Sequence, residues 1–123
     1  MPPRDIPVPA QLRVFVDAIG VERTVKLLLT FGGAPLYIGP KASAKSRVAR
    51  EMGMDVARAL SAVYEKLPSR IPTQKPWLAK VQFSKGLPVL EIARKLHVTD
   101  KTVRLYLKDE TREPPQPELP LFD

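Results

Sequence analysis

The residue types that bind polyanions are concentrated in one part of this 123-residue chain. Residues 73–108 carry eight Lys and Arg against two Asp and Glu, a net charge of +6. Residues 1–72 have a net charge of +5, and residues 109–123 have −4. A strongly basic segment beside an acidic tail indicates a surface that contacts a polyanion, with the tail acting elsewhere.

The basic segment contains a stretch whose pattern is typical of a helix-turn-helix. Residues 88–107 read PVLEIARKLHVTDKTVRLYL. Small Ala93 stands where two helices must cross closely, and Thr99 is a good N-cap for a helix that runs to about Lys108. The apolar residues that pack the two helices together are Ile92, Leu96, Val98, Val103 and Tyr106. The pattern predicts that the second helix places its N-terminal residues in the major groove of DNA.

His97 is a departure from the usual pattern. The turn position that it occupies is commonly Gly, because the backbone there often has a positive φ. Histidine adopts that conformation more easily than branched residues do. We therefore expect the turn to form with His97 in it.

The second helix supplies most of the candidate DNA contacts. Arg104 is the candidate for bidentate contact with guanine, and Lys101 and Thr102 are candidates for a base or a phosphate. Phosphate contacts are predicted for Lys108, Lys80 and Lys85. The remaining candidates for DNA contact are Thr99, Leu105 and, upstream, Lys41. Lys41 belongs to a basic run that is either a phosphate-contacting arm or a solvated face.

The composition excludes several other chemistries. The chain has no Cys, and its single His cannot form a metal cluster or a two-histidine acid–base pair. No apolar run approaches the roughly 20 residues that span a bilayer. We therefore expect a cytoplasmic protein that is not an enzyme, holds no cofactor or metal, and does not bind a membrane.

The remaining elements are predicted to be mainly α-helical. An extended, proline-rich lead-in covers residues 1–9, an N-terminal domain covers 10–72, and a hinge covers 73–76. A trihelical helix-turn-helix domain covers 77–108, and an acidic, proline-rich tail, expected to be disordered, covers 109–123. Within the N-terminal domain, helices are expected over 10–18 and 21–31, ended by Gly32 and Gly33. A short strand is expected at Leu36, Tyr37 and Ile38.

The N-terminal domain contains an internal repeat. With an offset of 33 residues, Ile19-Gly20-Val21-Glu22 matches Met52-Gly53-Met54-Asp55, and Leu27 matches Leu60. The match continues from Phe31 to Tyr64, from Pro35 to Pro68 and from Ile38 to Ile71. One unbroken register favours a duplication, with units of about 16–40 and 49–73. Each unit is a helix followed by a short strand, and the two strands could pair in a small two-stranded sheet.

The stretch FGGAPLYIGPK at residues 31–41, followed by a basic helix-turn-helix, resembles the Mor (middle operon regulator) transcription activators of Mu-like phages. The resemblance covers about residues 12–108. It implies that Tyr37, Ile38, Pro40 and Lys41 belong to a strand that builds a dimer, and that 101–108 is the recognition helix. It also implies a promoter as the target and RNA polymerase as a further partner. Because the repeat could supply both halves of the strand pair, a monomer is the alternative to the homodimer that we expect.

The tail contains a second short motif. Gln116, Leu119, Leu121 and Phe122 are spaced like the peptides that dock on bacterial sliding clamps. The alternative is a solubilising tail without a partner.

The leading interpretation is a sequence-specific DNA-binding regulator of phage or mobile-element type that activates transcription. One alternative is a DNA-binding accessory protein for packaging, recombination or replication. Another is a protein-interaction adaptor whose trihelical unit does not touch DNA. The salt dependence of binding to duplex DNA distinguishes the adaptor from the two DNA-binding interpretations, because phosphate contacts make the affinity fall steeply as the salt concentration rises.

Overall fold

The computed structural model describes residues 6–108 and divides the chain into two compact units. The N-terminal unit comprises residues 7–74, and the described part of the C-terminal unit comprises Ile6 and residues 75–108. The predominantly α-helical class predicted from the sequence is confirmed. Over the described residues the α-helices are α1 (Arg13–Phe31), α2 (Arg47–Met52), α3 (Met54–Ser61), α4 (Lys75–Ser84), α5 (Val89–Leu96) and α6 (Asp100–Tyr106).

The N-terminal unit is built on α3, which packs against both α1 and α2. A 3-10 turn, Ala10–Leu12, leads into α1, so the first helix begins slightly later than predicted. The core is formed by apolar side chains that are nearly or fully inaccessible: Leu12, Phe15, Leu27, Leu28, Val56 and Leu60. The ion pair between Arg23 and Asp55, 3.2 Å apart, adds a contact at the exposed rim between α1 and α3.

Gly20 breaks α1 where the sequence predicts an interruption. Its φ of 86° and ψ of 166° lie outside the helical region, so α1 is two helical segments joined by a kink. The Thr24 hydroxyl donates a hydrogen bond of 2.7 Å to the Gly20 carbonyl and is itself fully buried. Only glycine populates this backbone region readily.

Gly53 has the same conformation at the equivalent position of the second copy. Its φ of 102° and ψ of 157° separate α2 from α3, as Gly20 separates the two halves of α1. Residues 33 positions apart are also buried together, as in Phe15 and Val48, Thr24 and Ala57, or Leu27 and Leu60. The backbone at the two glycines therefore follows the same 33-residue register as the sequence, and so does burial at these three pairs, whereas Phe31 is buried and its equivalent Tyr64 is exposed.

The strand predicted at Leu36, Tyr37 and Ile38 is wrong. Among the described residues there is no strand or sheet, and the extended segments of the two copies are joined by an isolated antiparallel bridge between Pro35 and Arg70. The Leu36 amide donates to the Ser69 carbonyl at 2.8 Å, and the Ile71 amide donates to the Ala34 carbonyl at 2.9 Å. Pro35 has no N–H, and the next proline follows at Pro40, so the pairing is too short to extend into a ladder.

The register of this pairing is nevertheless informative. Leu36 and Ser69 face each other and are separated by 33 residues, the offset of the repeat. At this point the two copies run antiparallel and meet at equivalent residues. The pairing between copies, left open by the sequence, is therefore made within one chain.

In the C-terminal unit α4, α5 and α6 pack against one another in all three combinations. The helix predicted to begin at Trp77 begins at Lys75 and ends at Ser84, so Lys75 and Pro76 belong to α4 rather than to a hinge. A proline in the first turn of a helix is tolerated because its missing N–H has no intrahelical partner. Gly86, with a φ of 95°, follows the end of α4.

Part of the sequence prediction lies outside residues 6–108. It comprises most of the lead-in and the tail with its candidate clamp-docking residues Gln116, Leu119, Leu121 and Phe122. Within residues 6–108 no helix combines the length and the apolar character needed to cross a membrane.

Candidate nucleic-acid interface

The turn between α5 and α6 has the backbone that the sequence predicts. α5 runs from Val89 to Leu96, with Pro88 as its N-cap. His97 follows with a φ of 58° and a ψ of 44°, the left-handed conformation. This lets the Val98 amide donate to the Ala93 carbonyl at 3.1 Å, a contact that closes the end of the helix. The expectation that His97 replaces the usual glycine in a positive-φ turn is confirmed.

Thr99 begins α6 as predicted. Its hydroxyl accepts a hydrogen bond from the Thr102 amide at 3.2 Å, and the two threonine hydroxyls lie 3.0 Å apart. A side-chain oxygen at this position satisfies one of the amides that a helix start leaves unpaired. The side chain of Thr99, proposed as a DNA contact, is therefore already used as a cap, although the residue remains exposed.

The packing between α5 and α6 buries three of the five apolar residues predicted to join these helices. Ile92 and Val103 are fully buried, and Leu96 is nearly so. Ala93 is buried where its small side chain lets the helices approach. Val98 and Tyr106, predicted as packing residues, are only half-buried. The buried side of α6 is therefore fixed, and this determines which of its residues face outward.

The exposed side of α6 carries most of the candidate contacts. Lys101, Arg104, Leu105 and Lys108 are exposed, and Thr102 is half-buried. Leu105 is 65% exposed, so its apolar side chain lies on the same outer side of α6 as these cations. One helix of seven residues and the residues just after it thus present three cations and one apolar side chain together.

Arg104 is bound to an acidic neighbour on the same helix. Its Nη1 donates to Oδ2 of Asp100 at 2.5 Å, one helical turn away. The hydrogen bond and the charge of Arg104 lower the pKa of the Asp100 carboxyl below its usual value of 3.8, and the amides of Asp100 and Lys101 act in the same direction. The carboxylate is therefore ionised, and hydrogen-bonded to the guanidinium, throughout the neutral range.

The same unit carries further cations. Lys85 is exposed and Lys80 is half-buried, both on or just after α4. Arg94 and Lys95, exposed in the last turn of α5, were not among the candidates from the sequence. Both are basic and lie at the end of a short helix, just before the loop predicted at residues 97–99. This is the signal that would have added them to the candidate DNA contacts.

The other predicted site residues lie in the N-terminal unit. Lys41 is exposed there, and Tyr37 is 87% exposed. Leu36 and Ile38, predicted as dimerisation residues, are half-buried, and the Leu36 amide is bonded within the chain. In the part of the chain that the structure describes, no group of His, Asp and Glu side chains could hold a metal ion.

No protein-family model, curated protein or solved structure matches this chain.

Proposed function

We propose that the C-terminal unit is a helix-turn-helix and that the protein is a sequence-specific DNA-binding regulator. The observation that carries the proposal is the left-handed His97 turn, which joins α5 to a Thr99-capped α6 with an exposed basic face. A three-residue turn fixes the angle between the two helices, and this angle lets the second helix enter a groove while the first crosses the backbone.

The residues of α6 then have distinct tasks. Arg104 reads guanine through two parallel hydrogen bonds, and Leu105 contacts the methyl group of a neighbouring thymine. Lys101 and Lys108 neutralise phosphates and fix the register of the helix on the duplex. Thr102 contributes to the base or phosphate contacts, while Thr99 mainly holds the helix start in place.

The internal pairing of the two copies changes what the resemblance implies about oligomeric state. In the Mor family the equivalent strand is expected to join two chains. Here Leu36 is bonded to Ser69 of the same chain, so one N-terminal unit already contains both halves of such a pair. We propose that each chain binds as a single unit with one α6, in place of the homodimer expected from the resemblance.

The regulatory role follows from the resemblance to the Mor activators. We propose that the bound protein acts at a promoter and contacts RNA polymerase. The location of the selected binding site relative to promoters distinguishes this role from an accessory function in packaging, recombination or replication.

A salt titration of binding to a duplex of random sequence tests the DNA contact itself. We expect the logarithm of affinity to fall linearly with the logarithm of salt, and replacement of Lys101 or Lys108 by Ala to reduce the slope by about 1 each. Lys26→Ala, which removes an exposed lysine from α1, is the matched control and should leave the slope unchanged. Absent or salt-insensitive binding would refute the proposal and favour an interaction adaptor.

A further inference from the structure

The ion pair between Asp100 and Arg104 places a carboxylate on the proposed reading face. Negative side chains are otherwise a liability there, because they repel the phosphates that the surrounding cations attract. Between residues 75 and 108 only Glu91 and Asp100 are acidic, against eight basic residues. As the first residue of α6, Asp100 suits the positive end of the helix dipole, and its carboxylate is in addition paired with Arg104.

The position of Asp100 is fixed by the cap that precedes it. Thr99 anchors the start of α6, and the Asp100 side chain accepts from the Arg104 guanidinium one turn further on. Both side chains remain well exposed, 42% for Asp100 and 62% for Arg104. The pair therefore faces solvent, where a ligand can reach it, and is not part of the packed interior.

The geometry leaves the arginine able to bind a base. The contact with Asp100 uses Nη1, whereas the guanidinium has five N–H donors arranged as a planar fork. The adjacent Nη2 and Nε edge can still donate two parallel hydrogen bonds to the O6 and N7 atoms of guanine. Holding one edge of the fork reduces the conformational freedom that Arg104 would lose on binding.

We propose that Asp100 is a specificity-determining residue that holds the Arg104 guanidinium for guanine and directs it away from phosphate. This inference rests on the proposed DNA-binding function and assigns a positioning role to Asp100 within it. Without the carboxylate, Arg104 is free to swing to the nearest phosphate. Binding to unrelated DNA then strengthens while preference for the correct base weakens.

The test compares three duplexes of equal length. One is the site selected by the wild-type protein, the second has the G·C pair read by Arg104 changed to A·T, and the third is unrelated. Asp100→Asn removes the charge with little change in shape. Asp17→Asn is the matched control, because Asp17 forms an exposed pair with Arg13 at the same four-residue spacing in the N-terminal unit.

A bidentate arginine contact discriminates by roughly 5- to 150-fold between the correct and the wrong base. We expect Asp100→Asn to reduce the ratio of affinities for the G·C and A·T duplexes at least about threefold and to bind the unrelated duplex more tightly. Asp17→Asn should leave this ratio unchanged. Asp100→Glu, which restores the charge, should recover part of the preference. In an Arg104→Ala background, Asp100→Asn should no longer change the preference at this base pair.

Two different results would overturn the inference, one that leaves DNA binding intact and one that does not. If Asp100→Asn changes affinity for all three duplexes by one common factor, the pair only contributes charge, and DNA binding stands without the positioning role. If the wild-type protein binds none of the duplexes, the proposed function fails together with it. Helical circular dichroism and emission from Trp77, the single tryptophan, establish that each variant is folded.

Discussion

Replacing Gly20 and Gly53 by Ala, separately, tests the paired kinks of the N-terminal unit. In an uninterrupted helix, Gly→Ala stabilises a protein by about 1 kcal/mol. Here both glycines have a positive φ with an extended ψ, a region in which other residues cost about 1–3 kcal/mol. A continuous helix and a kink at the glycine therefore predict changes of opposite sign in the free energy of unfolding. We expect the kink, so that each variant is destabilised by about 2 kcal/mol.

The surroundings of the two glycines refine this expectation. A Cβ at Gly20 would meet no atom within 4 Å, so its cost comes from backbone strain alone. A Cβ at Gly53 would approach Oδ1 of Asp55 at 2.9 Å. That side chain can move, but its other oxygen is paired with Arg23 at 3.2 Å. We therefore expect Gly53→Ala to cost slightly more than Gly20→Ala.

Urea denaturation followed by far-ultraviolet circular dichroism measures these free energies of unfolding, with Trp77 emission reporting on the C-terminal unit. Gly39→Ala is the matched control, because Gly39 has no left-handed φ and a Cβ there would meet nothing within 4 Å. It should be neutral or stabilising by up to about 1 kcal/mol. Stabilisation by Gly20→Ala or Gly53→Ala would show that the helices run through these positions and would refute the duplicated kink.

Three further outcomes are expected. His97→Gly should stabilise the C-terminal unit by about 0.5–1 kcal/mol, because relief of left-handed strain exceeds the added entropy of the unfolded chain; His97→Val should destabilise it by about 1–2 kcal/mol. Urea titration of Trp77 emission measures both, and equal stability of the two variants would contradict the turn geometry. The stabilisation that Asp100 provides should be complete above the pKa of this carboxyl in the unfolded chain, and it should be lost as pH falls through the lower pKa of the folded protein. In an NMR titration, Arg104→Ala should raise the pKa of Asp100 in the folded protein toward 3.8. An unchanged pKa would show that the pair does not form in solution. Light scattering should give a mass near 13.7 kDa, and twice that mass would show that two chains associate despite the internal pairing.

The C-terminal unit was largely predictable because its signals are local. Pro88, the left-handed turn at His97 and the Thr99 cap each depend on a few neighbouring residues, and the bounds of α5 follow from them. The pair between Asp100 and Arg104 was also within reach, since residues four apart on a helix are neighbours. The prediction from the sequence named Arg104 without the acidic residue four positions before it.

The N-terminal unit was predictable only where its repeat imposes a register. Gly20 and Gly53 share a conformation because they share a position in the duplicated sequence. The prediction of a strand at Leu36 was wrong because a strand forms only beside a partner strand of sufficient length. The partner, residues 69–71, provides one bridge, and the prolines limit its extension. Such non-local pairing is not encoded in the composition of either segment alone.

The most direct test of the central claim is selection of binding sites from a randomised duplex pool. Wild type, Arg104→Ala and Arg58→Ala should be compared, because Arg58 is an exposed arginine on α3 of the N-terminal unit. We predict that wild type and Arg58→Ala enrich the same short motif containing a G·C pair, and that Arg104→Ala loses or relaxes the preference at that pair. Enrichment of no motif by any of the three, or of an unchanged motif by Arg104→Ala, would contradict sequence recognition through α6.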